Sequence, residues 1–306
     1  MKSNVSFTTN ACITDIPFIK ETLTHMKRSL DYPFIERIVA LDVGRPIGKY
    51  EERLKGELSE LRIILSNLIE EGVIDKVVEI PTDEKNKKKV LNKYFGEVEI
   101  ALNDFDGAPI YQYLYAIDLC HGDYILHVDS DMLFHSGNGY SWIENAIECM
   151  QTNPQVIFTT PGGPPQAKNW LEYLIGTSLK QSNLGKWHKA NFISTRYFLM
   201  DKNRFLNEML PLEQCKRSEP LENSLTYTAN KKARERWSMN EADSWAIHPV
   251  DHNENFIKYI NGLIKVIEQG LYPFRRNGFK WNMYTDDKGI KPWLNLIKQM
   301  NVQKNK

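Results

Sequence analysis

Gly122-Asp123-Tyr124-Ile125-Leu126-His127-Val128-Asp129-Ser130-Asp131-Met132 is the stretch from which the fold can be read. Tyr124–Val128 is a short apolar run with a glycine before it and a polar turn after it, the pattern of a strand buried in a sheet. It runs straight into Asp129 and Asp131. Two carboxylates one residue apart on a turn can converge on one hard cation, directly or through water. Mg²⁺ and Mn²⁺ prefer such oxygen ligands. Alone, the pair would serve equally well as a turn cap, so its surroundings decide.

Upstream, strand and helix patterns alternate. Val5–Thr9 is β-prone, and Ile16, Ile19, Leu23, Met26 and Leu30 form an apolar helical stripe with Asp15 and Pro17 in its first turn. Arg37–Val43 reads as the next strand, Leu54 to Leu68 as an amphipathic helix stopped at Gly72, and Val73–Ile80 as a third strand ended by Pro81. The lysine-rich run 85–93 reads as a solvated helix face, and Pro109–Cys120 as the helix before the aspartate strand. Strands separated by single helices imply right-handed βαβ units and a mostly parallel sheet flanked by helices. In such sheets ligands sit beyond the carboxyl ends of the strands. Thr9-Asn10, Asp42 and Asp129–Asp131 all fall there.

Downstream, Ser141 with Glu144 is a capping box opening a helix to about Met150, and Gln155–Thr160 is another strand. Phe198–Phe205 reads as a strand passing into a short helix. Residues 213–240 are polar with weak periodicity and are expected to form a mobile loop, and Asn253–Gln269 is an amphipathic helix. The expected division is one α/β domain over residues 1–250, with halves 1–135 and 136–250, and a helical C-terminal extension over 251–306.

Composition narrows the function classes. Lys plus Arg and Asp plus Glu both number 39, so there is no basic surplus for wrapping nucleic acid. The four cysteines lie far apart and read as reduced, packed thiols. No signal peptide or membrane span is legible, so the expectation is a cytoplasmic protein, with peripheral membrane contact left open.

The segment Gly122–Met132 resembles the G-x-Y-I-x-x-x-D-x-D segment of family 2-like GT-A glycosyltransferases, and residues 4–135 follow that family's order. The resemblance implies a GT-A α/β fold and a nucleotide-sugar donor, UDP-linked by preference. It also implies a Mn²⁺ or Mg²⁺ cofactor on Asp129 and Asp131, and a glycan, lipid-linked or small-molecule hydroxyl acceptor. It assigns Thr8, Thr9, Asn10 and Asp42 to the nucleoside, and Asp129 with Ser130 to the donor. Where such enzymes show Ala-Arg-Asn, this chain has Gln112, Tyr113 and Leu114, so Gln112 becomes the substitute donor contact.

Further candidates follow from the resemblance. Glu241 and Asp243 stand as Glu-x-Asp rather than the usual adjacent pair; either carboxylate could take the acceptor's proton, with Asp243 preferred and an inverting outcome. His248 is a third metal-ligand candidate, and His252 a weaker one. Arg275 and Arg276 could pair with the diphosphate. Two other readings remain: a catalytically inactive nucleotide-sugar-binding protein, and a haloacid-dehalogenase-like phosphatase using Asp129 as nucleophile.

Overall fold

The computed structural model describes residues 4–54, 56–163, 186–214, 216–241, 243–274 and 282–304. Arg275 and Arg276 lie outside them. Eight strands form the main sheet: β1 (Val5–Ala11), β2 (Glu36–Leu41), β3 (Lys76–Glu79), β4 (Tyr124–Val128), β6 (Val156–Thr160), β7 (Trp187–Ala190), β8 (Tyr197–Asp201) and β9 (Glu235–Met239). Their order is β3-β2-β1-β4-β8-β6-β9-β7. The pairs β2–β3, β1–β2, β1–β4 and β6–β9 are parallel, while β8 is antiparallel to both β4 and β6. A second sheet joins β5 (Leu133–Ser136), β10 (Ser244–Pro249) and β11 (Asn282–Met283) in the order β11-β10-β5.

Helices α1 (Ile19–Leu30), α2 (Leu58–Glu70), α3 (Glu84–Phe95), α4 (Tyr111–Leu119) and α5 (Trp142–Thr152) are followed by α6 (Leu221–Lys231), α7 (Glu254–Glu268) and α8 (Lys291–Lys304). Leu23 and Met26 of α1, Leu61 and Leu65 of α2, and Ile143 and Ala146 of α5 share one core with Val5, Val39 and Leu126. Tyr94 of α3, Leu114 of α4 and Leu225 of α6 share a second with Ile38, Ile125 and Phe198. Val39 and Ile38, or Leu126 and Ile125, are chain neighbours that face opposite ways across the pleat. The sheet is therefore covered on both faces, and the mixed, mostly parallel α/β architecture expected from the sequence is present.

Local chemistry explains the element ends. Asp83, Ser141 and Asn253 each accept a backbone N–H of the following turn, from Asn86, Glu144 and Phe256. Gly122 lies where β4 starts against β1: a Cβ there would stand 2.6 Å from Ser6 N and 2.8 Å from Tyr124 O. Its N–H donates to Ser6 Oγ at 2.8 Å.

The expected loop over 213–240 is corrected: it contains α6 and β9. Leu221, Leu225 and Ala229 recur at a spacing of four and are buried, so the weak overall periodicity concealed a narrow apolar stripe. A third core unites Leu133, Trp245 and Ile247 of the second sheet with Phe256, Leu263 and Ile264 of α7 and Trp293 of α8. β11 pairs with β10, so residues beyond 250 complete the sheet that β5 begins. Among the described residues no helix is long and apolar enough to cross a membrane.

Candidate functional site

The strand polarity brings four chain segments to the carboxyl end of β4. Asp129 follows β4 directly, and its N–H donates to Arg196 O at 2.6 Å. Because β8 runs antiparallel, with Tyr197 opposite Val128, its first residues stand at the edge where β4 ends. Asp131 precedes β5. His248 is on β10, where Ile247 pairs with Leu133, and His252 lies in the turn before α7.

These residues are in contact. His252 Nε2 meets Asp131 Oδ2 at 2.8 Å, and His248 Nε2 is 3.7 Å from the same oxygen. Arg196 Nη1 donates to His248 Nε2. On the other ring nitrogen, His248 Nδ1 lies 3.3 Å from Asn282 Oδ1. Tyr113 donates its phenol to Asp129 Oδ1 at 2.5 Å, and His127 Nε2 is 3.5 Å from that oxygen. Ser130 Oγ donates to Asp15 Oδ2 at 3.0 Å. Ser130 is thus engaged with a neighbouring carboxylate.

The electrostatics follow from burial and charge. Burial pushes the Asp131 carboxyl up, but the His252 hydrogen bond and the neighbouring His248, His252 and Arg196 outweigh it and hold it below the usual range. Asp15 is pushed up to about 6, mainly by burial, with Asp131 adding repulsion. Burial disfavours the Arg196 guanidinium, yet Asp129 and Asp131 more than restore its charge. Burial, and then Asp129, raise Tyr113, which keeps its proton on the phenol.

Does this donor set suit a divalent cation? Among the described residues, Asp131 Oδ1 is buried with no hydrogen-bond partner, a costly state for a carboxylate oxygen unless something fills it. Asp129 stands beside it. Among the described residues no three His, Cys, Asp or Glu side chains form a ready-made cage. Mg²⁺ is commonly held by one or two carboxylates with the remaining positions on water and substrate phosphates. The residues fit a cation bound in that way.

A second polar cluster sits at the ends of β1 and β2. Gln112 Nε2 donates to Asp42 Oδ2 at 2.9 Å, and Gly44 N to Asp42 Oδ1 at 2.8 Å. Among the described residues, Gln112 Oε1 and both side-chain amide atoms of Asn10 are buried without partners. The structure thus brings Asn10, Asp42 and Gln112 to one edge. Thr8 and Thr9 are fully buried within β1, deeper in the sheet than Asn10.

Glu241 and Asp243 lie elsewhere. Asp243 O accepts from Gly137 N at 2.8 Å, at the end of the β5–β10 ladder opposite to His248. His248 stands five positions after Asp243, about 16 Å at roughly 3.3 Å per residue. A different acid stands near Tyr113 and Arg196. Glu222, at the start of α6, accepts from Thr195 Oγ1 at 2.6 Å, and its charge reaches both Tyr113 and Arg196.

Tyr113, Arg196 and Glu222 escaped the sequence reading. Arg196 carried a signal, since it immediately precedes an apolar strand, but the antiparallel direction of that strand could not be read. Tyr113 stands in a helix with apolar residues all round, and Glu222 in a segment whose polar sequence predicts a loop.

No family model matches the chain, and no curated protein matches it in sequence. Solved structures do resemble it. One is a mycobacterial protein at 12% identity and TM-score 0.42, over 87% of this chain and 73% of that one. Another is GalNAc-T7 with UDP, GalNAc and Mn²⁺, at 11% identity and TM-score 0.48, over 80% of this chain and 44% of that one. A third is TarS of S. aureus, at 10% identity and TM-score 0.45, over 86% of this chain and 39% of that one. This chain therefore spans less than half the length of the last two.

Proposed function

We propose that the chain is a metal-dependent glycosyltransferase of the GT-A type, moving a sugar from a nucleoside-diphosphate donor, UDP in the first instance, to a hydroxyl acceptor with inversion. The observation that carries this reading is the buried, unpartnered Asp131 Oδ1 beside Asp129, His248, His252 and Arg196 at the carboxyl edge of the sheet. It agrees with the family that Gly122–Met132 resembles.

In this reading Asp129 and Asp131 hold Mn²⁺ or Mg²⁺, with His248 or His252 as a further ligand. The bound cation would supply Lewis-acid neutralisation of the leaving diphosphate. Tyr113 fixes the Asp129 carboxylate, and Arg196 offers a guanidinium to phosphate oxygens. Asn10 and Gln112 receive the nucleoside through their unpaired polar atoms, beside the Asp42 carboxylate. The acceptor hydroxyl oxygen forms its bond to the anomeric carbon as the bond from that carbon to the diphosphate breaks, the electron pair leaving with the diphosphate. The acceptor proton passes to a carboxylate. Glu222 suits that role better than Asp243, because a base must lie within hydrogen-bond reach of an oxygen already touching the donor. Asp243 stands about 16 Å along the chain from His248 at roughly 3.3 Å per residue, which weighs against it.

Calorimetric titration with UDP, GDP and other nucleoside diphosphates, each with Mn²⁺ and with EDTA, tests the reading. Metal-dependent binding of one nucleotide is expected. No binding of any nucleotide, with or without metal, would overturn it.

A further inference from the structure

Arg196 occupies a position with two competing claims on it. Its main chain is pinned beside the aspartates, since its carbonyl accepts from Asp129 N at 2.6 Å and Tyr197 pairs with Val128. Its side chain donates through Nη1 to His248 Nε2. That contact needs a lone pair on Nε2, and Asn282 supplies the reason for one. With Asn282 Oδ1 3.3 Å from Nδ1, the imidazole proton is held on Nδ1 and Nε2, 3.7 Å from Asp131 Oδ2, is left with a lone pair to accept. A second-residue hydrogen bond of this kind orients a histidine for metal ligation. Here the guanidinium is the group that accepts the offer.

We propose that Arg196 is a resident cation of the site, which occupies His248 before a divalent ion binds and transfers to the donor's diphosphate when that ion displaces it. This rests on the glycosyltransferase reading above and adds an order of events to it. With the guanidinium present, the negative charge of Asp129 and Asp131 is already partly offset, and a divalent cation entering alone must push a like charge away in a poorly solvated place. A cation arriving with a diphosphate meets no such opposition, because the phosphate oxygens give the displaced guanidinium a bidentate partner. Metal and nucleotide thus bind cooperatively, and Arg196 provides the coupling. The coupling is reciprocal: each ligand raises the affinity for the other by the same factor.

Titrating wild type, Arg196→Met and Arg196→Lys with Mn²⁺ alone, and with UDP at saturating Mn²⁺, tests the proposal; free Mn²⁺ is followed by electron paramagnetic resonance and folding by thermal melt. Arg196→Met keeps the length and removes the charge. It is expected to bind Mn²⁺ alone at least about tenfold more tightly than wild type, and UDP at least about tenfold more weakly. Arg196→Lys, a charge without the fork, is expected to keep the weak wild-type Mn²⁺ affinity and still lose UDP affinity. Equal or weaker Mn²⁺ binding by a folded Arg196→Met protein would overturn the handover, and so would an Arg196→Lys protein that binds Mn²⁺ as Arg196→Met does. Should Arg196→Met fail to fold, Arg196→Lys decides alone: undiminished UDP affinity overturns the handover, and a selective loss of UDP supports it. A wild-type protein that binds neither Mn²⁺ nor any nucleotide is a separate result, which removes the glycosyltransferase reading itself.

Discussion

At the scale of single residues, under the proposed function the site divides into groups that hold and groups that react. Asp131 then holds the cation, and among the described residues its second oxygen has no partner. Asp131→Ala is expected to abolish metal-supported turnover and leave the melting transition in place; normal activity in a folded variant would remove the metal assignment. Tyr113→Phe deletes one hydrogen bond to a carboxylate, and such bonds contribute about 1.5–3 kcal/mol. Nucleotide affinity in Mn²⁺ should fall by roughly ten- to a hundredfold, as titration of the two proteins would show. Glu222→Gln should lower kcat by at least about a hundredfold with UDP affinity intact, while Asp243→Asn keeps near wild-type kcat. The opposite result would return the base to the β10 end. The aspartates were legible because their strand and their chemistry are contiguous in the chain. Tyr113, Arg196 and Glu222 were not, because each reaches the site from a different segment.

At the scale of elements, His25 joins three of them. It is fully buried on α1, meets Glu268 of α7 at 2.9 Å through Nδ1, and accepts from Phe134 N of β5 at 2.9 Å through Nε2. Burial lowers His25 from its ordinary 6.5, against the opposing effect of Glu268, so the folded ring stays neutral where the unfolded ring takes a proton. Stability therefore falls as pH drops below about 6.5, because the unfolded chain binds more protons there. His25→Leu should cost about 1–3 kcal/mol at neutral pH, having left Phe134 N and Glu268 without this partner. The decline of its melting temperature between pH 6.5 and 5 should be shallower than in wild type. Asp15, raised to about 6, acts with the opposite sign: its contribution is present at low pH and fades as pH rises toward that value. It is common to both proteins, so the difference isolates His25. The helical stripe of α1 was readable in the sequence, and the partners of its one buried histidine were not, since they lie more than a hundred residues away.

At the scale of the whole molecule, the main sheet was largely legible and the second sheet was not. β1, β2 and β4 announced themselves as apolar runs with turn residues at their ends. β5 and β10 are short and follow an aspartate pair and a polar loop, and their burial depends on α7 and α8. α7 and α8, in the segment read from sequence as an extension, cover Leu133, Trp245 and Ile247, all with zero exposure. Truncation after Val250 is expected to give an aggregated or unfolded product, since these large apolar side chains would meet water. A truncated protein with a cooperative melt and native secondary structure by circular dichroism would contradict this. The pairing of β1 with both β2 and β4 also sets a timetable. β2 is complete at Leu41, whereas β4 is complete only at Val128. At roughly 5–20 residues per second of synthesis, β1 waits about 4–17 s with one edge open. An open parallel edge of this kind is a template for the wrong partner, so the nascent chain is most exposed to misassembly during the interval before its aspartate strand emerges.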